Sequence, residues 1–359
     1  MGKQKASMKR RSFLKGMPAA AAAGFAGPLG TAAPALSSSA LPPRKVIVGT
    51  VVQGFWVEHP GLKTRLKELE TILDEMRAAS MSRYGRGVDL AVLPEAAITG
   101  ETGDDTPSRA VLWEGPVGEC FARKARELGA YVVVPTYLRE PARGDTCSNA
   151  AVLIDRQGAP AGVYRKVHLV VSSDGKTMEG GATPGDELPV FDCDFGKLAI
   201  QICYDMEFDR GWDELKRKGA ELVVWPTQSP QTAHPAARAM ALRAWIVSST
   251  WRHNASVFEP TGKIAAQVRP PERILVHELD LSYAILPWSS KLRRGKALEE
   301  RFGARIGYRY YEEEDCGIFW SNDPETPVRA MIEALGLVEA EEELERVREA
   351  YRRARVLDY

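Results

Sequence analysis

From Lys45 onward, short β-branched runs alternate with amphipathic stretches, and this alternation restricts the possible folds more than any other feature of the chain. The first series reads strand, helix, strand, helix, strand. Two further runs flank a Gly158-Ala159-Pro160 turn and predict a hairpin, which makes the sheet mixed rather than purely parallel. The predicted elements of this half are residues 45–52, 62–80, 88–93, 117–128, 131–137, 149–155 and 161–165.

A second series follows and contains two predicted helices among five predicted strands. Sheets with helices packed over them form layered domains, so the sequence predicts the α/β or α+β class. The predicted elements of this half are residues 197–203, 209–218, 222–225, 235–245, 246–250, 255–259 and 274–280.

Residues 281–359 differ from the preceding chain in character. They contain a basic stretch at 291–296, an aromatic and acidic cluster at 308–315, and a charged helix predicted at about 339–355. We interpret this segment as a C-terminal extension that acts as an arm or oligomer contact rather than as a separate domain. A homo-oligomer is therefore expected.

Residues 1–35 have the order of an export signal: a basic segment at 9–15, an apolar Ala-rich run at 17–29, and small residues at 33–35. The paired Arg10 and Arg11 resemble the twin-arginine (Tat) signal, which the Tat export machinery reads on folded proteins. We therefore expect a periplasmic or secreted mature protein. The apolar run is too short to span a bilayer, so no stable membrane anchor is expected. The alternative is a disordered basic tail.

The charge that remains without this leader bears on possible partners. Residues 36–359 carry 42 basic and 48 acidic groups, a net charge of −6. A mildly acidic protein lacks the broad positive field that nucleic-acid binding requires. No nucleic-acid partner is expected.

The five cysteines are odd in number, and none has the Cys-x-x-Cys spacing of a metal or redox motif. At least one thiol is therefore unpaired. Cys120 and Cys316 are interpreted as small buried hydrophobes. The sequence leaves open whether Cys147 and Cys193 form a disulfide. Cys203 differs from these four in its setting.

Glu95, Lys166 and Cys203 stand at or just beyond the ends of predicted strands, where open sheets place reactive groups. A carboxylate directly after a buried strand and a proline is poorly solvated, which suits a general base. The lysine ammonium can stabilise an oxyanion. The cysteine begins a strand-to-turn elbow that lifts a nucleophile out of the core. The following backbone N–H, of Tyr204, points toward the same volume.

The surroundings of these residues closely resemble the three signature blocks of the nitrilase superfamily, the carbon–nitrogen hydrolases. The resemblance covers about residues 45–280, which we take as one hydrolase domain. The three blocks are Leu93-Pro94-Glu95 with Gly100, Tyr164-Arg165-Lys166-Val167-His168-Leu169, and Gln201-Ile202-Cys203-Tyr204-Asp205.

The resemblance implies a four-layer α-β-β-α sandwich whose subunits commonly associate through a helical face. It also implies a catalytic set of Glu95, Lys166 and Cys203. The implied mechanism is acyl transfer to the Cys203 sulfur. Glu95 takes the thiol proton, and Lys166 with the Tyr204 N–H holds the oxyanion. Water then hydrolyses the thioester. No metal or cofactor is required.

Many members of the superfamily carry a second glutamate before a Pro-Gly turn. Glu179, five residues before Pro184-Gly185, is the counterpart by resemblance, with a substrate-positioning or proton-relay role. Asp174 is the rival for that role. The alternative for both residues is a solvated loop acid.

The chain also departs from the common amidase pattern, because Met206 replaces an arginine after Cys-Tyr-Asp. The expected substrate is a small amide or N-carbamoyl compound, cleaved to release ammonia or an amine. Nitrile hydrolysis, acyl transfer to an amine, and a catalytically silent binding member of the fold are the alternatives. A Cys–His protease is disfavoured, since no histidine has that context and His168 is better interpreted as a structural hydrogen-bonding group.

The leader generates one prediction. Replacing Arg10 and Arg11 by lysine keeps the charge but removes the paired guanidinium groups, so full-length precursor is expected to accumulate in the cytoplasm. Cell fractionation and immunoblotting measure this. Unchanged amounts of mature protein in the periplasm would show that another route reads the leader.

Overall fold

The computed structural model describes residues 38–101, 103, 105–173 and 175–355. The predicted leader, residues 1–35, and the candidate Asp174 lie outside the described residues.

Most of the described strands form two six-stranded sheets, each of them mixed. The first sheet has the order β12-β1-β2-β3-β4-β5, and the second has the order β11-β10-β9-β8-β7-β6. The strands of the first sheet are β1 (Lys45–Val51), β2 (Leu90–Val92), β3 (Tyr131–Glu140), β4 (Thr146–Ile154), β5 (Pro160–Arg165) and β12 (Ile274–Asp280). Those of the second are β6 (Val190–Cys193), β7 (Gly196–Ile200), β8 (Leu222–Thr227), β9 (Trp245–Thr250), β10 (Ala255–Phe258) and β11 (Ile264–Val268).

Helices cover the outer faces of both sheets. Helices α1 and α3 contribute to the core outside the first sheet, and α4 and α5 to the core outside the second. The helices of the described residues are α1 (Leu62–Tyr84), α2 (Thr106–Arg109), α3 (Pro116–Leu128), α4 (Asp209–Arg217), α5 (Ala233–Leu242), α6 (Lys296–Phe302), α7 (Val328–Glu333) and α8 (Ala340–Ala354).

Alternation along the strands divides the core into layers. In β1, Val46 and Val48 face the core between the sheets, whereas Ile47 faces the core under α1 and α3. In β7, Leu198 likewise faces the inter-sheet core and Ala199 the core under α4 and α5. Because successive strand residues point to opposite faces, each sheet is apolar on both sides. The predicted four-layer α-β-β-α sandwich is confirmed.

The two sheets are joined at the ends of their strands. A parallel bridge links Val52 to Thr250, just beyond β1 and at the end of β9. The hydroxyl of Thr50 donates to the Ser248 carbonyl at 2.6 Å, and the hydroxyl of Ser249 donates to the Val92 carbonyl at 3.0 Å. These bonds bring the loops that follow β1, β2 and β9 to one edge of the sandwich.

Several boundaries differ from the sequence-based expectation. The strand predicted at 197–203 ends at Ile200, and a 3-10 turn, Cys203–Glu207, follows it. The helix predicted at 235–245 ends earlier, because Arg243 adopts a left-handed φ of 55° and Trp245 already belongs to β9. Helix α1 extends past residue 80 to the left-handed Gly85. Strands β6 and β11 were not predicted.

The segment after residue 281 contains a sheet that the sequence did not indicate. Strands β13 (Tyr283–Pro287), β14 (Ile306–Tyr311) and β15 (Cys316–Ser321) pair in the order β13-β15-β14. One face of this sheet packs with α6 and α7 around a small apolar cluster of its own. The predicted oligomer contact of this segment stays a prediction. None of the helices described is long and apolar enough to cross a membrane.

His277 in β12 generates a prediction about acid stability. Neither ring nitrogen has a hydrogen-bond partner among the described residues, and burial with the nearby charges of Arg309 and Arg83 lowers the pKa of His277 to about 4. A histidine with a depressed folded pKa binds protons more readily when unfolded, where its pKa is about 6.5. Its contribution to stability is therefore complete above about pH 6.5 and is lost as the pH falls toward 4.

Between pH 7 and pH 5 the free energy of unfolding should fall by about 2 kcal/mol through this residue alone. His277→Gln should remove that part of the pH dependence, as measured by urea unfolding at both pH values. The exposed Gln157 has no titrating side chain, so Gln157→Asn is the control and should leave the pH dependence unchanged. An unaltered pH dependence in His277→Gln would contradict the assignment.

Candidate active site

Glu95 follows β2 and is 2% exposed. Its Oε1 accepts hydrogen bonds from Lys166 Nζ at 3.0 Å and from Asn149 Nδ2 at 2.9 Å, and its Oε2 accepts one from the Gln228 N–H at 3.2 Å. The Glu95 carbonyl accepts from the indole N–H of Trp251 at 2.7 Å. The carboxylate is thus held from three sides in a buried position.

Lys166 directly follows the last residue of β5, and its side chain is fully buried. Its Nζ forms ion pairs with Glu95 and with Glu179. Burial alone would lower the pKa of Lys166, but the surrounding anionic groups, Glu95 first among them, raise it well above its ordinary value. Lys166 therefore carries a positive charge throughout the physiological pH range.

Glu179 lies in the loop after β5 and has a left-handed φ of 38°. Besides its ion pair with Lys166, its Oε1 accepts from the Val170 N–H at 3.1 Å. Its Oε2 accepts from Asn149 Nδ2 at 2.9 Å and from the Tyr137 hydroxyl at 3.3 Å. Its side chain is only 7% exposed, so Glu179 is a buried part of this cluster and not a solvated loop acid.

Cys203 opens the 3-10 turn after β7 with a left-handed φ of 44°. Its carbonyl accepts from the Trp225 indole N–H at 3.0 Å, which fixes the elbow against the end of β8. Its thiol lies beside the Thr227 side chain and the backbone of Gln228, both of which act to lower its pKa. Since the same Gln228 N–H donates to Glu95, the thiol and the carboxylate face one small volume.

The thiol of Cys203 is neutral in this environment. Burial and the charge of Glu95 raise its pKa to about 12, although Lys166 acts in the opposite direction. Cys203 is therefore a thiol and not a thiolate at neutral pH, so a base must remove its proton as the sulfur attacks. Glu95 is the carboxylate in position to do so.

Asn149, in the middle of β4, is a residue of this cluster that the sequence analysis missed. It is fully buried, and its Nδ2 donates to both Glu95 and Glu179, so one amide group spaces the two carboxylates. Its carbonyl also accepts from the Lys166 N–H at 2.8 Å. The available signal was an amide side chain directly before the apolar run 150–154 of the same strand, since a buried amide needs partners.

Asp205, which belongs to the nucleophile motif in the sequence, fixes the nucleophile turn in the structure. Its Oδ2 accepts from the Tyr164 hydroxyl at 2.6 Å and from the Ile202 N–H at 2.9 Å. Its Oδ1 accepts from the His168 N–H and faces His168 Nδ1, both at 2.9 Å. This buried carboxylate therefore ties the Cys203 turn to the segment that carries Lys166, and His168 has a hydrogen-bonding role in that connection.

Tyr204 is the second residue of the 3-10 turn, where backbone N–H groups have no acceptor within the helix. Its side chain is 40% exposed, and its ring packs edge-on against Phe208 at 5.4 Å between centroids. Four of the predicted site residues, Glu95, Lys166, Cys203 and Glu179, lie together, and Tyr204 directly adjoins them. Asp174, the rival of Glu179, lies outside the described residues.

All five cysteines are free in the structure, Cys147 and Cys193 included. Cys147 lies in the first sheet and Cys193 in the second. Within the described residues, no group of three or more His, Cys, Asp or Glu side chains is arranged to hold a metal ion.

Comparisons with known proteins decide the family. The model of the carbon-nitrogen hydrolase family matches residues 50–286. This chain belongs to the carbon-nitrogen hydrolase family. The chain is therefore a carbon–nitrogen hydrolase. The nitrilase superfamily expected from the sequence is confirmed.

Two curated relatives and one solved structure show the range of the similarity. Omega-amidase NIT2-A of Xenopus laevis is 25% identical over 220 residues, covering 55% of this chain and 79% of the relative. A nitrilase of Pyrococcus abyssi is 33% identical over 164 residues, covering 44% of this chain and 58% of the relative. The crystal structure of Saccharomyces cerevisiae Nit3, of the nitrilase superfamily, superposes with a TM-score of 0.55 at 21% identity, covering 66% of this hydrolase and 90% of Nit3.

Asn149 generates a prediction for the hydrolase. Asn149→Leu removes the donor that separates two buried carboxylates, so turnover should fall about 10- to 100-fold and the free energy of unfolding by about 1–3 kcal/mol. Steady-state kinetics on any amide that is turned over, with urea unfolding, measures both. Gln157→Leu, at an exposed amide side chain in the turn between β4 and β5, is the matched control and should change neither. Unchanged turnover in Asn149→Leu would show that the bridging amide is dispensable.

Proposed function

We propose that this enzyme hydrolyses the C–N bond of a small amide or N-carbamoyl compound through a thioester on Cys203. The observation that supports this most is the buried cluster in which Lys166 bridges Glu95 and Glu179 beside the Cys203 elbow. Each element of acyl transfer has a candidate there: a nucleophile, a base, and a fixed positive charge.

In the first half-reaction, Glu95 accepts the Cys203 proton while the sulfur attacks the carbonyl carbon. The Lys166 ammonium and the Tyr204 N–H stabilise the negative charge that develops on the carbonyl oxygen. Protonated Glu95 then gives its proton to the leaving nitrogen, which departs as ammonia or an amine, and the acyl group remains on sulfur.

In the second half-reaction, Glu95 is again a carboxylate and takes a proton from the attacking water. The tetrahedral intermediate collapses, the acid product leaves, and the proton returns to sulfur. Glu179 keeps its ion pair with Lys166 throughout and positions the ammonium and the substrate. In this scheme Glu179 is a supporting residue, and its loss should cost less than the loss of Glu95.

The sequence at the nucleophile favours an amide over a nitrile. The nitrile-cleaving branch resembles Cys-Trp-Glu at this position, whereas this chain has Cys203-Tyr204-Asp205. An amide gives an oxyanion that Lys166 and the Tyr204 N–H can hold. A nitrile gives a thioimidate nitrogen, which needs an additional protonation before hydrolysis. The relatives include both an omega-amidase and a nitrilase, so the two substrates are tested directly.

Acyl transfer to an amine is the nearer chemical alternative, because the same thioester can be captured by an amine instead of water. A catalytically silent binding protein would lack one of the three residues, and this chain has all three. We also propose, from the leader sequence alone, that the enzyme acts in the periplasm or outside the cell after Tat export.

The experiment is a panel of amides, N-carbamoyl amino acids and nitriles, paired so that each amide and nitrile share one side chain. Ammonia release should give a higher kcat/KM for the amide of each pair, and Cys203→Ala should abolish it without unfolding the protein. Cys120→Ala removes a thiol in α3, away from the cluster, and should keep full activity. Nitriles that turn over faster across the panel, or activity retained in Cys203→Ala, would overturn the proposal.

A further inference from the structure

Five large apolar side chains border the catalytic cluster although they are between 37% and 47% exposed. Apolar groups that remain exposed beside a polar site commonly mark a surface that a ligand covers. Two of them lie on or just after the turn of the nucleophile, and three lie on the loop that carries Glu179. They are Tyr204 and Phe208, and Val170, Val171 and Met178.

The ring of Phe208 is held in a fixed orientation directly after the nucleophile turn. It stacks on His168 with 3.9 Å between ring centroids and 6° between ring planes, and Tyr204 packs edge-on against it at 5.4 Å. His168 is itself tied to the buried Asp205. Because Tyr204 directly follows Cys203, the rings of Tyr204 and Phe208 form a preorganised aromatic wall beside the nucleophile.

The loop that carries Glu179 adds a second apolar border. The Val170 N–H donates to the Glu179 carboxylate at 3.1 Å, which places Val170 beside the cluster. Val171 and Met178 are cross-strand neighbours in an antiparallel bridge of the same loop. Cross-strand neighbours lie side by side on one face, so this loop presents apolar groups next to Glu179.

The acidic groups near the aromatic wall already have partners. The carboxylate of Glu207 faces His234 Nδ1 at 3.2 Å, and Asp209 pairs with Arg238 at 2.6 Å. These acids are therefore engaged within the protein and are poorly placed to recognise a cationic substrate. The aromatic wall beside them favours an uncharged, apolar group of the ligand.

The chemistry of the reaction decides which part of the substrate meets this wall, and the inference rests on the proposed function. In the tetrahedral intermediate the central carbon carries four groups. The sulfur belongs to Cys203, and the nitrogen takes its proton from Glu95. The oxygen is held by Lys166 and the Tyr204 N–H. The fourth group is the acyl substituent, which none of these residues holds, so it points out of the cluster toward the apolar border.

We propose that the aromatic wall binds the acyl substituent and selects amides of apolar carboxylic acids, with an aromatic or branched group near the carbonyl. Such a group buries apolar surface against the two rings, and a methyl substituent buries much less. A carboxylate in the same position loses its water without gaining a partner from the rings. The substrate class is thereby narrowed to amides of apolar acids.

The first test compares acetamide, phenylacetamide and succinamic acid, which all release ammonia and differ only in the acyl substituent. The kcat/KM of phenylacetamide should exceed that of each of the other two at least about tenfold, because its ring buries apolar surface against the wall. A kcat/KM for acetamide or succinamic acid that equals or exceeds that for phenylacetamide would overturn the proposal.

The second test changes the wall itself. Phe208→Ala should reduce the ratio of kcat/KM for phenylacetamide to that for acetamide at least about fivefold, whereas Phe208→Tyr keeps the ring and should retain the ratio. A merely structural role of Phe208 would slow both amides alike, and an unchanged ratio would therefore contradict the proposal. The matched control is Trp288→Ala, which removes another exposed aromatic side chain, in the segment after residue 281, and should leave the ratio unchanged.

Binding to Cys203→Ala separates this proposal from the proposed function. The variant lacks the nucleophile, so calorimetry measures its affinity for each amide without turnover. Phenylacetamide should bind at least about tenfold more tightly than acetamide, and adding Phe208→Ala should remove most of this difference. A wild-type enzyme that turns over no amide would overturn the proposed function, and selective binding by Cys203→Ala would still support the wall. Equal affinities for the two amides would overturn the wall even if the wild-type enzyme cleaves both.

Sedimentation velocity tests the rival occupant of this surface, which is a second copy of the chain. Phe208→Ala should leave the mass of the protein in solution unchanged. A lower mass together with an unchanged ratio of kcat/KM would assign the exposed rings to a contact between copies and overturn the proposal.

Discussion

The buried ammonium of Lys166 is the interaction on which the rest of the site depends. Two carboxylates, Glu95 and Glu179, lie in the interior with almost no exposure to water, and burying unpaired charges of this kind is strongly unfavourable. Lys166 offsets their repulsion, and Asn149 supplies a donor to each. Removing the ammonium would leave two uncompensated charges in the core, so the cluster is as important for folding as for chemistry.

The sandwich explains why these residues meet although they are far apart in the sequence. Glu95 follows β2 of the first sheet and Cys203 follows β7 of the second, and the bonds between the sheets at Thr50 and Ser249 hold the two strand ends together. Asp205 adds a second connection, from the nucleophile turn to the segment after β5. Each functional side chain therefore stands at the end of a rigid strand or is tied to one, which favours a preorganised site.

The sequence predicted the parts of this molecule that repeat a pattern or form a motif. Short β-branched and apolar runs predicted strands such as β1 and β7, and the motifs around Glu95, Lys166 and Cys203 indicated the family. Prediction from the sequence failed where the contact that explains a residue joins positions far apart in the chain. Asn149 looks like one polar residue in a strand until Glu95 and Glu179 are brought beside it, 54 and 30 residues away. Strands β13 and β15 were missed because they are short apolar runs in a segment otherwise rich in charged residues, and their pairing with each other and with β14 decides the structure.

The charge of the cluster also limits how the proposed reaction can proceed. At rest, one ammonium faces two carboxylates, and a thiolate on Cys203 would add a third negative charge, which is consistent with its raised pKa. If Glu95 takes the proton as the sulfur attacks, the total charge of the site does not change. The negative charge moves from Glu95 to the substrate oxygen, and Lys166 exchanges one anionic partner for the other. Because the ammonium is already desolvated and fixed 3.0 Å from Glu95, it needs little reorganisation to stabilise the transition state.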